Sequence, residues 1–204
     1  MTSAKEKPFA PVSVRVCANA ISVRIVHDLT DYLKVVSLRA LVYMGEQACP
    51  YSEEFDGCDL SGVTHLLAEE AGEPVGTLRL RWFADFVKIE RVAVLPSHRG
   101  RHAVRALMAH AVEIARRRGY RRALGYAQVR LLPFWRTLGF HPRPDRARFV
   151  FSDHEYQEVE GALLEHPNRI TMDTSPLELL RPDGAWDAPG VLDLSASRGA
   201  PAQS

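Results

Sequence analysis

The stretch Val92-Ala93-Val94-Leu95-Pro96-Ser97-His98-Arg99-Gly100-Arg101-His102-Ala103-Val104 changes its period in mid-course. An apolar, strand-like run ends at Pro96 and a short loop follows. Arg99–Arg118 then reads as a helix, with Ala103, Leu107, Ala111 and Ile114 on one face and Gly119 as its stop. The first amides of a helix lack intrahelical acceptors, and the helix dipole puts partial positive charge at that end. A strand–loop–helix unit that also carries Arg99 and Arg101 is a ready anion site. Its natural ligand is a pyrophosphate.

Upstream of this unit, Thr64–Glu70, Pro74–Phe83 and Phe86–Leu95 are strand-like runs. They are joined by Ala71-Gly72-Glu73 and Ala84-Asp85, connections short enough for an antiparallel meander. Ser13–Cys17 and Ile21–Val26 read as two further short strands. Thr30 is placed to cap a helix reaching Met44, with Leu33, Val36, Ala40 and Leu41 at helical spacing. Residues 45–62 read as an acidic loop. Downstream, Arg121–Gln128 is a strand, Leu131–Leu138 a short helix and Phe149–Val159 a last strand. The fold class is therefore α/β (α+β): a mixed, mostly antiparallel twisted sheet flanked by helices. Five of the 13 prolines fall in the last 38 residues. The expected organisation is a flexible leader over 1–11, one domain over 12–160, and a Pro-rich extension over 161–204. That extension hugs the domain and is disordered over 195–204.

Composition narrows the function. The 204 residues hold 26 Lys+Arg against 25 Asp+Glu, a formal net charge of +1. That balance argues against nucleic acid or an anionic membrane as the principal partner. No apolar stretch approaches the roughly 20 residues of a membrane span, and no apolar run follows Lys5 and Lys7 as a secretory signal requires. Cys17, Cys49 and Cys58 are odd in number and form no C-x-x-C pair, as expected of reduced thiols in a cytoplasmic protein. His98 and His102 lie four apart without a third ligand nearby, so no metal is expected. The Arg116-Arg117-Arg118 cluster reads as a solvated helix end complementing the dipole.

Val-x-Val-x-Pro-x-x-Arg-Gly before an amphipathic helix resembles motif A of the GNAT family of N-acetyltransferases, whose loop cradles the pyrophosphate of coenzyme A. Gln128 to Phe140, with Phe134-Trp135-x-x-Leu138-Gly139-Phe140, is similar to that family's second signature. Glu46-Gln47-Ala48-Cys49-Pro50-Tyr51, then Asp56-Gly57-Cys58-Asp59-Leu60-Ser61-Gly62 and His65-Leu66, resemble its ElaA-type subgroup. The likeness covers roughly residues 20–160. It implies a GNAT-like fold with acetyl-CoA as co-substrate, held by Val92, Val94, Arg99, Gly100, Arg101, His102, Ala103, Val104, Gln128 and Trp135. His102 and Val104 stand where the family usually has small residues. Trp135 stands where it usually has a tyrosine acid, and indole has no proton to give at neutral pH.

Acyl transfer to an amine needs a neutral amine, a polarised carbonyl and a proton for the thiolate. The resemblance places a base at Glu90, which also breaks the apolar run Val87–Val94; pairing with Lys88 or Arg79 across the sheet is the equal alternative. Tyr126, Tyr51 or solvent would supply the proton, and backbone amides near Val92 and Val94 would polarise the carbonyl. Glu46, Tyr51 and Asp56, with Glu53, Glu54 and Asp59, are the candidate contacts for a cationic acceptor. Three functions follow. The first is an acyl-CoA-dependent N-acyltransferase acting on a small-molecule or peptide amine, with exchange of residues 161–194 in a homodimer as an option. The second is a degenerate CoA- or ligand-binding regulatory module. The third is a transferase using a longer acyl chain or an acyl carrier protein.

Overall fold

The computed structural model describes residues 21–100 and 102–198. The expected leader, the strand Ser13–Cys17, Arg101 and residues 199–204 lie outside them. The described chain forms β1 (Ser22–Ile25), α1 (Leu29–Arg39), α2 (Tyr51–Glu54), β2 (Val63–Glu70), β3 (Glu73–Trp82), β4 (Val87–Val94), α3 (Ala103–Arg117) and β5 (Arg122–Gln128). It continues as α4 (Leu132–Thr137), β6 (His141–Pro142), β7 (Phe149–Phe151), β8 (His154–Ala162), α5 (Pro176–Leu179) and α6 (Val191–Ser197). One eight-stranded sheet runs in the order β1-β2-β3-β4-β5-β8-β6, with β7 also on β8. Every pairing is antiparallel except β4 with β5. This is the mixed, antiparallel-dominated sheet flanked by helices that the periodicities imply.

Strand alternation divides the sheet into two faces. Leu66, Leu78, Leu80, Val87 and Ile89 join Leu107, Met108, Ala111 and Ile114 of α3 in the main core. Leu67 faces the other way, against Val35 and Leu38 of α1. By the same alternation Lys88 and Glu90 of β4, and Tyr126 and Gln128 of β5, stand on the α1 face.

Five local expectations are corrected. The cap of α1 is Asp28, whose side chain accepts from the Asp31 amide, and not Thr30. The buried stripe of that helix is Val35, Leu38 and Val42, whereas Leu33 and Leu41 are exposed. The chain then widens into a π-helical turn over Ala40–Glu46, which rotates later residues out of the simple 3.6 phase. The stretch read as one strand over Phe149–Val159 is a hairpin. Ser152 (φ 47°) and Asp153 (φ 59°) take the two left-handed positions of a tight turn, registered by Phe151↔His154. The fourth concerns the arginines ending α3, which are not a solvated cluster. Arg117 is 5% exposed and donates to Glu178 and Asp187, while Arg118 pairs with Asp183 and lies 4.1 Å above the Trp82 ring. Chain between Leu164 and Asp187 meets α3 here, and Trp186 enters the main core. Val191–Ser197 is helical, against the disorder expected from residue 195 onward.

Candidate active site

β4 and β5 are paired only over Val87↔Ala123, Lys88↔Leu124 and Ile89↔Gly125. Beyond that rung they part, and Glu90 and Tyr126 are the first residues past it. A bulge assists the parting. β3 and β4 are in register at Thr77↔Ala93 and again at Arg79↔Glu90, so β4 carries one extra residue. Arg91 supplies it in the left-handed region, at φ 51°. Among the described residues, the backbone from Glu90 to Val94 has no strand partner on its β5 side. The Tyr43 hydroxyl, from the π-helical turn, donates to the Val92 carbonyl at 2.8 Å and holds the bulge in place.

The open strand leads into the loop before α3. Pro96–His98 form a single 3₁₀ turn, and Gly100 (φ 76°) and His102 (φ 68°) are both left-handed. The helix therefore opens at Ala103, four residues later than periodicity alone predicts. Gly100 meets no steric neighbour, so its glycine is required by φ alone. His102 adopts the glycine-like conformation despite its side chain, at a cost of about 1–2 kcal/mol. The first amides of this 15-residue helix have no intrahelical acceptor, the arrangement that attracts an anion. Val104 packs against the core. Arg99 donates to the Val94 carbonyl at 3.1 Å and forms a two-pronged pair with Glu46, at 2.6 and 2.5 Å.

On the α1 face the sheet is lined by a buried charge network. The Arg79 guanidinium is fully buried and reaches Asp56 (2.9 and 2.6 Å), Asp59 (2.7 Å) and Glu90 (2.9 Å). Arg39, also fully buried, pairs with Glu54 and Asp59. Arg91 reaches Asp56 at 3.1 Å and Glu54 at 3.5 Å. Burial pushes the Asp56 and Asp59 carboxyls up, but guanidinium contacts outweigh it and hold both below the ordinary carboxylate range. Burial dominates at Glu54 and raises it.

These contacts locate each candidate residue. Both oxygens of Glu90 are occupied, Oε1 by Arg79 and Oε2 by Lys88 Nζ at 2.8 Å. Lys88 Nζ also lies 4.0 Å above the ring of Tyr126, which is 39% exposed. Gln128 is 7% exposed; its Nε2 donates to Gln47 Oε1 (3.2 Å) and the Tyr156 hydroxyl (3.1 Å). Trp135 lies on the opposite face, buried against Phe140 and over Gly125, where a Cβ would come within 3.0 Å of its indole. Of the acceptor candidates, Glu46 pairs with Arg99, Asp56 is enclosed by Arg79 and Arg91, and the exposed Tyr51 meets Phe55 at a tilt of 46°. The sequence reading names Arg79 and Lys88 only as partners of Glu90, and both do pair with it. It misses Arg39 and Arg91, for which a charged residue inside an apolar helix or strand face is the available signal.

The sequence profile of the Acetyltransferase (GNAT) family matches residues 32–140, which span α1, the charge network, the parted strands and α4. The chain belongs to this family. The Bacillus subtilis (strain 168) protein named Uncharacterized N-acetyltransferase YjcF is 32% identical over 106 residues, or 50% of this chain and 73% of that protein. A crystal structure of an acyl-CoA N-acyltransferase from Pseudomonas aeruginosa has TM-score 0.64 and 27% identity, covering 70% of this chain and all of that one. Escherichia coli ElaA has TM-score 0.62 and 25% identity, covering 70% of this chain and 99% of that one. The GNAT fold family uses acyl-CoA as co-substrate. Among the described residues no cluster of three His, Cys, Asp or Glu side chains is placed to hold a metal. No described helix is long and apolar enough to cross a membrane.

Proposed function

We propose that this GNAT protein is an acyl-CoA-dependent N-acyltransferase, moving an acetyl or other acyl group directly to an amine of a small molecule or peptide. The observation that carries this reading is the parting of β4 from β5 beside the left-handed loop that opens α3. Acyl-CoA would bring the activated thioester carbonyl. Gly100, His102, Ala103 and Val104 would hold its pyrophosphate through backbone amides, and the amides of Val92 and Val94, on a stretch of β4 not paired with β5, would receive its carbonyl oxygen. Tyr126, exposed and just past the last β4–β5 pair, would protonate the departing thiolate, with Tyr51 or solvent as the alternative. The segments from Glu46 to Tyr51 and from Asp56 to Gly62, with the likeness to ElaA, support an ElaA-type subgroup. Free Cys49 and Cys58 agree with a cytoplasmic setting.

The deciding experiment is calorimetric titration with acetyl-CoA, with CoA as comparator in the same buffer. Low-micromolar binding of both is expected, and no detectable binding of either would sink the reading. Glu90 can accept a proton only by giving up contacts with Arg79 and Lys88, so we read it as an anchor for those cations. Glu90→Gln is therefore expected to lower kcat/KM by less than about 10-fold in a steady-state acetylation assay. A drop of about 10²–10⁴, the usual effect of losing a general base, would restore Glu90 to that role.

A further inference from the structure

The open edge of β4 and the loop before α3 meet at one side chain, Arg99. Its Nε donates to the Val94 carbonyl at 3.1 Å, on the stretch of β4 not paired with β5. Its two terminal nitrogens donate to the two oxygens of Glu46, at 2.6 and 2.5 Å. The cation beside Gly100 is therefore already satisfied by a carboxylate of the protein itself. The two side chains are 43% and 39% exposed, so an incoming anion can reach both partners. The guanidinium holds the Glu46 carboxyl below the ordinary carboxylate range, so it is charged at neutral pH. Arg130, in the 3₁₀ turn Val129–Leu131 that follows β5, adds a weaker attraction to the same carboxylate.

A second set of contacts fixes where Glu46 sits. The π-helical turn Ala40–Glu46 is tied to both strands at their parting. Tyr43 donates to the Val92 carbonyl of β4 at 2.8 Å. Gln47, directly after Glu46, accepts from Gln128 Nε2 at the end of β5, at 3.2 Å. The chain that carries Glu46 thus reaches from one strand to the other. A carboxylate held there sets a negative charge where an anionic donor must bring its own. Repulsion between like charges and the claim on Arg99 act in the same direction.

Resting on the acyl-transfer reading, the geometry points to Glu46 as an internal competitor for the phosphate end of the donor. In the free protein it occupies the Arg99 guanidinium, and donor binding exchanges that carboxylate for a phosphate oxygen. Glu46 is thereby a specificity-determining residue: it lowers the affinity for phosphorylated thioesters and leaves phosphate-free ones unaffected. Its two oxygens are engaged on the donor side of the cleft, so it does not receive a cationic acceptor.

The test is calorimetric titration of the full chain and of Glu46→Gln, isosteric but uncharged. The ligands are acetyl-CoA and S-acetylpantetheine, which bears the same thioester without any phosphate. Glu46→Gln is expected to bind acetyl-CoA about 3- to 10-fold more tightly, the scale of an exposed ion pair plus the repulsion relieved. S-acetylpantetheine is expected to bind both proteins alike. The gain is expected to shrink as sodium chloride rises from about 50 to about 500 mM, because salt screens charges this exposed. Glu155→Gln removes an exposed charge paired with Arg148 and is expected to change nothing. Wild-type binding of acetyl-CoA with no gain in Glu46→Gln overturns the proposal and leaves acyl transfer standing. An equal gain with S-acetylpantetheine also overturns it, since the substitution would then only widen the cleft. If the wild type binds no acetyl-CoA, binding that emerges in Glu46→Gln upholds the competition. Binding by neither protein defeats acyl transfer and the proposal together.

Discussion

Replacing Arg79 by methionine is expected to lower the unfolding free energy by about 3–5 kcal/mol, the usual cost of removing one partner from a buried ion pair. Methionine fills much of the space of the arginine stem. It leaves Asp56, Asp59 and Glu90 facing one another, with Arg39, Arg91, Lys88 and the more distant Arg81 to offset them. Urea unfolding of both proteins at neutral pH measures the difference. A loss below about 1 kcal/mol would show that the network behaves as exposed pairs do. The acid limb carries a second signature. The Asp56 carboxyl is depressed in the folded state, so its contribution is fully present above the ordinary carboxylate range, near about pH 4. It is lost as pH falls below that range. Without Arg79 the depression shrinks, and the variant is expected to lose proportionally less stability on acidification.

Trp186→Ala is expected to cost about 3–5 kcal/mol, the range for emptying an aromatic site in a packed core. Trp186 is 7% exposed and belongs to the same cluster as Ile25 and Leu66. Its approach depends on Gly184, which sits at φ 82° and so close to Ile25 that a Cβ would come within 2.6 Å of Cδ1. The bonds of Arg117 to Glu178 and Asp187, and of the Ile170 amide to the Arg117 carbonyl at 2.7 Å, hold the neighbouring chain. Equilibrium unfolding and the rate of proteolytic nicking in 163–198 report the effect together. A change within about 0.5 kcal/mol would mean that the extension lies on the domain without contributing to its core.

The two expectations differ in how far the sequence foretold them. Proline spacing and short apolar patches mark the last segment as different in character from the elements before it. Nothing local showed that Trp186 is inside, because its neighbours Ile25 and Leu66 lie more than a hundred residues away. The arginines closing α3 were assigned to solvent for the same reason: their carboxylate partners lie 61 to 70 residues downstream.

What the sequence determined alone is whatever depends on neighbours a few residues apart. Alternation in Thr64–Glu70, Pro74–Phe83 and Phe86–Leu95 defined the meander, the four-residue spacing in Ala103–Ile114 defined α3, and Gly100 marked the loop before it. Each is a period or a φ preference that one short segment expresses unaided. The motifs placed on those elements led to the family. The tertiary structure alone decided which side chains meet across the sheet. Arg39 and Arg79 could be assigned to Asp59 only when α1, β3 and the acidic loop were brought together, because pairing over 20 residues leaves no periodic trace. The bulge at Arg91, the left-handed turn at His102 and the turn at Ser152 likewise sit where side-chain preference opposes the conformation. Closure of the surrounding strands and helix holds them there, and it is these positions that shape the cleft.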